Sequence, residues 1–297
     1  MNKILLFSSI CKPKEILQIT LQSYINLKHY SFTLDYLFYD DNSNKSDSDF
    51  LNNFCKKNGW LLLESIKNDS SNYKDHNWDV KKIDRVISIK NMAIEYAVKH
   101  EYDYLFLVDA DLVLHPMTLT HLVNQKEHFI FEVFWTLFFG ESYHKPNAWD
   151  HHSWAYTGPE TILKLTEKGK YIVGGGGACT LLSKEILSKK LSFDRLMSLA
   201  YQGEDRHFCT RAQALGYSVM VDTHYPAYHI FKTDQCSEAQ KWYDNGADSD
   251  FFKIWLDENW KNKVLKSFEV KKKGLLMKLK RFQYEVRRLF IKTVWND

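Results

Sequence analysis

The chain has 297 residues, 44% of them hydrophobic and 26% charged, with 9 Trp, 17 Tyr and 19 Phe. This composition excludes a predominantly disordered chain and provides apolar surface for one large or two small cores; 12 Gly and 5 Pro exclude collagen-like and low-complexity architectures. The formal net charge of +3 hides an asymmetry, because residues 261–297 carry 12 Lys/Arg against 3 Asp/Glu and the rest of the chain is acidic.

Lys3–Ser9 reads as a buried first strand, and Pro13 opens a helix with apolar positions Ile16, Ile19, Leu21 and Ile25. Thr33–Tyr39 is a second strand, ending in the turn and cap cluster Asp40-Asp41-Asn42-Ser43. Asp49–Asn58 is helical and Gly59 stops it. Trp60–Glu64 is a third strand, residues 67–82 a long polar loop, Ile87–His100 a helix and Tyr104–Val108 a fourth strand. Strands alternating with helices predict an α/β fold: a doubly wound, mostly parallel sheet flanked by helices.

The second half is less regular. Phe129–Phe138 is strand-like, and 140–158 reads as an aromatic, His-rich loop. Gly174–Gly177 precedes the strand Cys179–Leu182, Glu204–Leu215 is a helix stopped by Gly216, and Tyr217–Val221 is a further strand. The five cysteines, Cys11, Cys55, Cys179, Cys209 and Cys236, are odd in number, widely spaced and without a CxxC, so neither a disulfide framework nor a zinc knuckle is expected. A reducing, cytoplasmic compartment suits them. The N-terminus lacks the pattern of a cleaved leader, and the most apolar run, 129–140, is too short to span a bilayer.

Four constellations carry candidate chemistry. Asp109-Ala110-Asp111 follows the fourth strand, and in a parallel sheet the C-terminal strand ends face the ligand crevice. Paired carboxylates there suit a hard divalent cation that bridges a diphosphate, though two solvated carboxylates capping the next helix would look the same. Asp41 could accept from a base N–H or a sugar hydroxyl, or simply cap a helix, and Arg85 stands ahead of the Lys90-Asn91 helix. Gly203-Glu204-Asp205-Arg206 puts acids at a helix start, where the helix dipole favours them and where one could act as general base. His229 follows the last strand and is a candidate metal ligand.

Taken in order, these residues resemble the nucleotide-sugar-dependent glycosyltransferases of the GT-A fold, specifically the family 2 type, over roughly residues 3–232. The match runs through Asp40-Asp41-Asn42-Ser43, Arg85 with Asn91-Met92-Ala93-Ile94, the strand ending in Asp109-Ala110-Asp111, Pro116, the glycine run, Glu204-Asp205-Arg206-His207-Phe208-Cys209-Thr210-Arg211, Gly216-Tyr217 and His229. The resemblance implies a Rossmann-like GT-A catalytic domain over 1–232, with a nucleotide-binding half (1–111) and an acceptor half (112–232). A helical extension, 233–297, follows. It implies transfer from a UDP-sugar to a hydroxyl by an inverting single displacement, with Mn²⁺ or Mg²⁺ as cofactor. Asp41 would bond the uracil and Arg85 the base or adjacent loop, with Ser8, Asn91 and Ala110 also on the donor side. Asp109 would meet the ribose and the metal environment, Asp111 would be the chief metal ligand and His229 a second. Asp205 would be the base, Glu204 would position the acceptor or metal shell, and Gly175, Gly176 and Trp154 would border the acceptor. Many relatives place an aromatic beside Glu204 that is missing here, which leaves a carbohydrate, a lipid-linked glycan or a protein as acceptor.

Three other classes stand beside this one. A nucleotidyltransferase is set aside because Ser8-Ser9-Ile10-Cys11-Lys12 contains no glycine. A non-catalytic carbohydrate-binding scaffold and a retaining transferase remain alternatives; nucleic acid is not an expected partner.

In the tail, Leu275, Leu279, Phe282, Val286, Leu289 and Thr293 recur at helical spacing among Lys278, Lys280, Arg281, Arg287, Arg288 and Lys292, predicting a basic amphipathic helix over 271–295. It suits packing on the body or on a second copy in a homodimer, or peripheral contact with the inner face of an anionic membrane. Truncation before Lys271 separates these. A lost dimer or lowered solubility on gel filtration marks a protein partner, and lost sedimentation with anionic vesicles, weakened by salt in the full chain, marks a membrane.

Overall fold

The computed structural model describes residues 1–64, 80–137, 142–151, 157–197, 199, 203–269, 274, 277–279 and 282. The first half builds β1 (Asn2–Ile10), α1 (Lys14–Ile25), β2 (Phe32–Asp40), α2 (Lys45–Asn58), β3 (Leu61–Glu64), α3 (Val80–Lys99) and β4 (Tyr104–Val108). Local chemistry sets these boundaries. Pro13 caps α1 in extended geometry, the Asn44 side chain accepts from the Ser46 N–H at the start of α2, and Gly59 ends α2 at φ +68°, a left-handed conformation that glycine adopts without strain. The polar loop expected over 67–82 is shorter than its pattern suggested. α3 already starts at Val80, and the remainder falls outside the described residues.

The second half adds β5 (Leu112–Val113), α4 (Thr118–Asn124), β6 (Phe129–Thr136), β7 (Lys145–Pro146), β8 (Ala148–Trp149), α5 (Pro159–Lys164), β9 (Lys170–Val173), β10 (Gly175–Gly176), β11 (Cys179–Ser183), α6 (Lys184–Ser188), α7 (Glu204–Ala214), β12 (Val219–His229) and α8 (Cys236–Asp244). Within the stretch expected as loop, 140–158, β7 and β8 are short strands: they borrow partners from β6 and β10, which no local pattern reveals. The last strand is also longer than expected, 11 residues to His229.

The main sheet has the order β3-β2-β1-β4-β11-β6-β12-β5. β3, β2, β1 and β4 run parallel, as the alternating pattern requires. β11 inserts antiparallel between β4 and β6, and β6 and β12 are again parallel. Side chains alternate across the sheet. Leu5, Leu105, Leu107, Phe129 and Phe131 pack on one face with α3 and α7, while Ile4, Leu6, Phe106, Val108 and Ile130 pack on the other with α1, α2 and α4.

Trp242, Phe252, Trp260 and Val264 are buried in the first of these cores, so the stretch after 232 covers the sheet instead of standing apart from it. Residues 258–269 are helical. Most of the basic helix expected over 271–295 lies outside the described residues; of its apolar stripe, Leu279 and Phe282 are described and are 51% and 66% exposed. Among the described residues no helix is long and apolar enough to cross a membrane.

The glycine run is packed against the 148–150 segment, where side chains do not fit. A Cβ on Gly174 would fall 1.9 Å from the Asp150 carbonyl oxygen, one on Gly175 2.1 Å from the Trp149 ring, and one on Gly176 2.1 Å from the Phe131 ring. Gly176→Ala is expected to cost about 1–3 kcal/mol by overpacking. Urea unfolding should show a lower midpoint with an unchanged slope.

Candidate active site

Strand ends and loops bring two clusters of charge to one end of the sheet. The first surrounds Asp111. β4 ends at Val108, and the chain turns at once, with the Leu112 N–H donating to the Asp109 carbonyl. This turn is pinned on three sides: the Asp109 N–H donates to Ala178, the Tyr24 hydroxyl to the Asp109 carbonyl, and the Ile230 N–H to the Asp111 carbonyl. The Asp-x-Asp segment therefore sits at the C-terminal end of β4, as the parallel-sheet argument requires.

Asp111 Oδ2 lies 2.6 Å from Lys12 Nζ and 3.3 Å from His229 Nε2. Burial pushes the Asp111 carboxyl up, but Lys12 and then His229 outweigh it and hold the group well below the ordinary carboxylate range. His229 is aimed by Thr136, whose hydroxyl lies 2.6 Å from Nδ1 and leaves Nε2 facing the carboxylate. Asp111 Oδ1 is buried without a hydrogen-bond partner among the described residues. An orphaned carboxylate oxygen beside an oriented imidazole nitrogen fits a divalent cation, and Thr136 supplies the outer hydrogen bond that such a ligand histidine needs.

The second cluster surrounds Lys90. Its ammonium donates to Glu204 Oε1 at 2.6 Å and to Asp205 Oδ1 at 2.9 Å. Burial alone would lower Lys90, but Asp205 and Glu204 raise it well above its ordinary value, so it is a fixed cation. Glu204, in turn, is lowered because Lys90 outweighs its burial. Asp205 is pushed up to about 6, first by burial and then by Glu204, against the pull of Lys90. Asp109 keeps access to solvent at the floor of the crevice, yet desolvation there, with Asp111 and Asp205 nearby, pushes it up to about 7 against Lys90. Ala178, which receives the Asp109 N–H, is held at φ +73°, a strained conformation for a residue with a Cβ and of the kind that collects at functional sites.

The remaining expected site residues divide clearly. Asp41 is buried, and Arg85 binds its Oδ1 through Nε at 2.6 Å and also through Nη2. The carboxyl is raised by burial, with Arg85 opposing. Ser8 and Ala110 are buried beneath the crevice, in β1 and in the Asp109 turn. Asn91 is not brought to the charged clusters. Its amide bonds the Phe193 N–H and the Asp194 carboxylate, anchoring the segment that leads into α7. Gly175 and Gly176 pack under Trp149 and Phe131, Gly176 also lines the crevice with Lys90, Asp109 and Asp205, and a Cβ on Gly177 would lie 2.2 Å from Asp205 Oδ2. Trp149 packs on that strand and under Arg206. Trp154 lies outside the described residues.

Sequence reasoning missed Lys12 and Lys90. The signal for Lys90 was present: Ile83, Ile87, Lys90, Ile94 and Ala97 are spaced as one buried stripe of α3, and a lysine inside such a stripe needs a buried partner. For Lys12 the signal is weaker, a cation placed directly after β1 at the crevice end of the sheet.

No protein-family model matches the chain, and no curated protein matches it in sequence. Solved structures do. A crystal structure of GalNAc-T7 with UDP, GalNAc and Mn²⁺ superposes with a TM-score of 0.52 at 14% identity, over 78% of this chain and 44% of that one. A structure of S. aureus TarS 1-349 aligns with a TM-score of 0.45 at 11% identity, over 88% of this chain and 77% of that one. The chain spans less than half the length of GalNAc-T7. It has the GT-A type of glycosyltransferase fold.

Lys90→Met would leave the buried Glu204 and the half-buried Asp205 without their cation. Removing one partner of a buried pair costs about 3–5 kcal/mol. Equilibrium unfolding should show that loss, and titration of Asp205 should move to higher pH, because Lys90 is what now restrains it.

Proposed function

We propose that the chain is a metal-dependent glycosyltransferase of the hexosyltransferase kind, moving a sugar from a nucleotide-sugar donor, a UDP-sugar, to a hydroxyl acceptor by inverting displacement. The observation that carries this reading is the convergence of Asp109, Asp111, Asp205 and His229 at the C-terminal end of β4. The fold shared with GalNAc-T7, whose structure holds UDP, GalNAc and Mn²⁺, supports the donor class and the cation by analogy.

In this reading Asp111 and His229 hold Mn²⁺ or Mg²⁺, with Asp109 beside them. When bound, the cation supplies Lewis-acid charge to the departing diphosphate. Asp41, with Arg85 bound to it, meets the nucleotide base. Asp205 accepts the proton of the acceptor hydroxyl as that oxygen bonds the anomeric carbon, while the bond to the diphosphate breaks and its electron pair leaves with the phosphate oxygen. A carboxyl raised toward neutral pH is a better general base than an ordinary aspartate. Lys90 fixes the orientation of Asp205, and Glu204 shares that ammonium. The acceptor is a carbohydrate, a lipid-linked glycan or a protein hydroxyl.

The ion pair between Lys12 and Asp111 favours a second reading, in which Lys12 supplies the positive charge at the leaving group without a metal.

Donor hydrolysis and transfer, measured with Mn²⁺ and with chelator, test both. Asp111→Ala should lose Mn²⁺-stimulated turnover by about 10²-fold or more. Asp205→Asn should bind donor as wild type does and transfer nothing. Asp205 must be ionised to act, so the wild-type rate is retained above about pH 6 and falls as pH drops through that value. Undiminished Mn²⁺-stimulated cleavage in Asp111→Ala overturns the first reading. Chelator-resistant turnover that Lys12→Met abolishes establishes the second.

A further inference from the structure

A second set of metal-ligating side chains lies on β12, away from the crevice. β12 pairs with β6 up to Asp222 and resumes at Ala227, with a register shift between them. Pro226 lies in this bulge and has no N–H to continue the ladder. Asp222 stands at its start and His224 within it, while His121 reaches over from α4. One donor atom from each of the three, a ring nitrogen or a carboxylate oxygen, lies within 4.8 Å of the other two. His121 Nε2 is 3.2 Å from Asp222 Oδ2, and His224 Nδ1 is 2.9 Å from Asp222 Oδ1. For a tetrahedral cation with bonds of about 2.0–2.1 Å, neighbouring donor atoms stand roughly 3.4 Å apart, so small side-chain movements close the site.

Two further observations point to a cation there. Asp222 and Glu132 are cross-strand partners and both are 0% exposed. Among the described residues the ion-pair partners of Asp222 are the two imidazoles, and Glu132 has none. Glu132 Oε1 accepts the Tyr225 N–H, but Oε2 is buried without a hydrogen bond. Adjacent buried carboxylates are costly unless one is protonated, as burial favours for Glu132, or a cation compensates; Lys170, opposite Asp222 on β9, is engaged by Glu127. In addition, His121 Nε2 faces both the Asp222 carboxylate and the Gln125 amide nitrogen, at 3.2 and 3.1 Å. A ring nitrogen cannot at once donate to the carboxylate and accept from the amide. Either a flip of the Gln125 amide, which lets Nε2–H donate to both oxygens, or a cation on the Nε2 lone pair removes that conflict.

We infer that His121, Asp222 and His224 form a binding site for a transition-metal cation of the zinc class, separate from the crevice of Asp111 and His229. Two imidazoles and one carboxylate favour Zn²⁺ or Co²⁺ over Mg²⁺ and Ca²⁺, which prefer all-oxygen shells. Its side chains are partly open to solvent, at 21% for His121 and 36% for His224, which gives the ion an entry path. The bound cation would clamp α4 to the bulge from which β12 runs on to His229. The inference does not depend on the proposed transferase activity.

The probe is Zn²⁺ alone, added to the full chain. Thermal unfolding of wild type and of Asp111→Asn should rise by about 5 °C at a hundredfold excess of zinc over its dissociation constant. Co²⁺ should give visible ligand-field absorption in both. His224→Gln, at the more exposed ligand and placed in the Asp111→Asn background so that the crevice carboxylate cannot hold the probe, should unfold near the Asp111→Asn temperature without zinc and lose the zinc-induced rise and the Co²⁺ spectrum. His121→Gln in the same background should lose the same two signals. A rise retained in His224→Gln in that background, a rise lost in Asp111→Asn alone, or no rise in wild type overturns the site.

Discussion

Lys90 occupies a position that an α-helix normally gives to an aliphatic residue. It lies in the buried stripe of α3, and its ammonium is held between Glu204 and Asp205 at the start of α7. A lone ammonium could not stay ionised there, nor could the two carboxylates without it. The contact thus fixes how α3 and α7 meet. It also places Asp205 against Gly177 and within the electrostatic reach of Asp109. The crevice is a crowded set of acids made tenable by two lysines, Lys90 on one side and Lys12 on the other. The proton affinities of Asp109 and Asp205 rise because that compensation is incomplete.

The strand that delivers His229 depends on a local irregularity. β12 pairs with β6 on both sides of the bulge containing Pro226 and finishes against β5. The bulge also brings Asp222 and His224 to His121 of α4, so two clusters of His and Asp side chains lie along one strand. This is a common use of bulges, which redirect side chains at the cost of a few ladder hydrogen bonds.

Shape contributes as much as charge. The glycine strand is pressed so closely by Asp150, Trp149, Phe131 and Asp205 that a single methyl group at any of its four positions meets an occupied volume. Ala178 follows it in a left-handed conformation and receives the Asp109 N–H. Close backbone approach at this point brings β10 and β11 up to the Asp-x-Asp turn, and the crevice takes its form from that approach.

Much of this was legible in the chain itself. The alternation of apolar runs with amphipathic segments determined β1 to β4 and the helices between them, because strand and helix periods are local properties. The placement of Asp109 and Asp111 after β4, and of Glu204 and Asp205 at a helix start, determined which acids would face a crevice, since parallel strands present their C-terminal ends there. Other features were decided only by tertiary structure. β7, β8 and β10 are two-residue strands that exist through pairing with distant partners. The antiparallel insertion of β11 depends on which neighbours are free. Asn91 anchors the segment leading into α7, and Gly175 and Gly176 are held under Trp149 and Phe131, contacts that only the fold reveals. The pairing of Lys12 with Asp111 and of Lys90 with Asp205 joins residues about a hundred positions apart. Such pairs form because a buried charge must find its opposite, and where that opposite lies is set by the packing of the whole sheet.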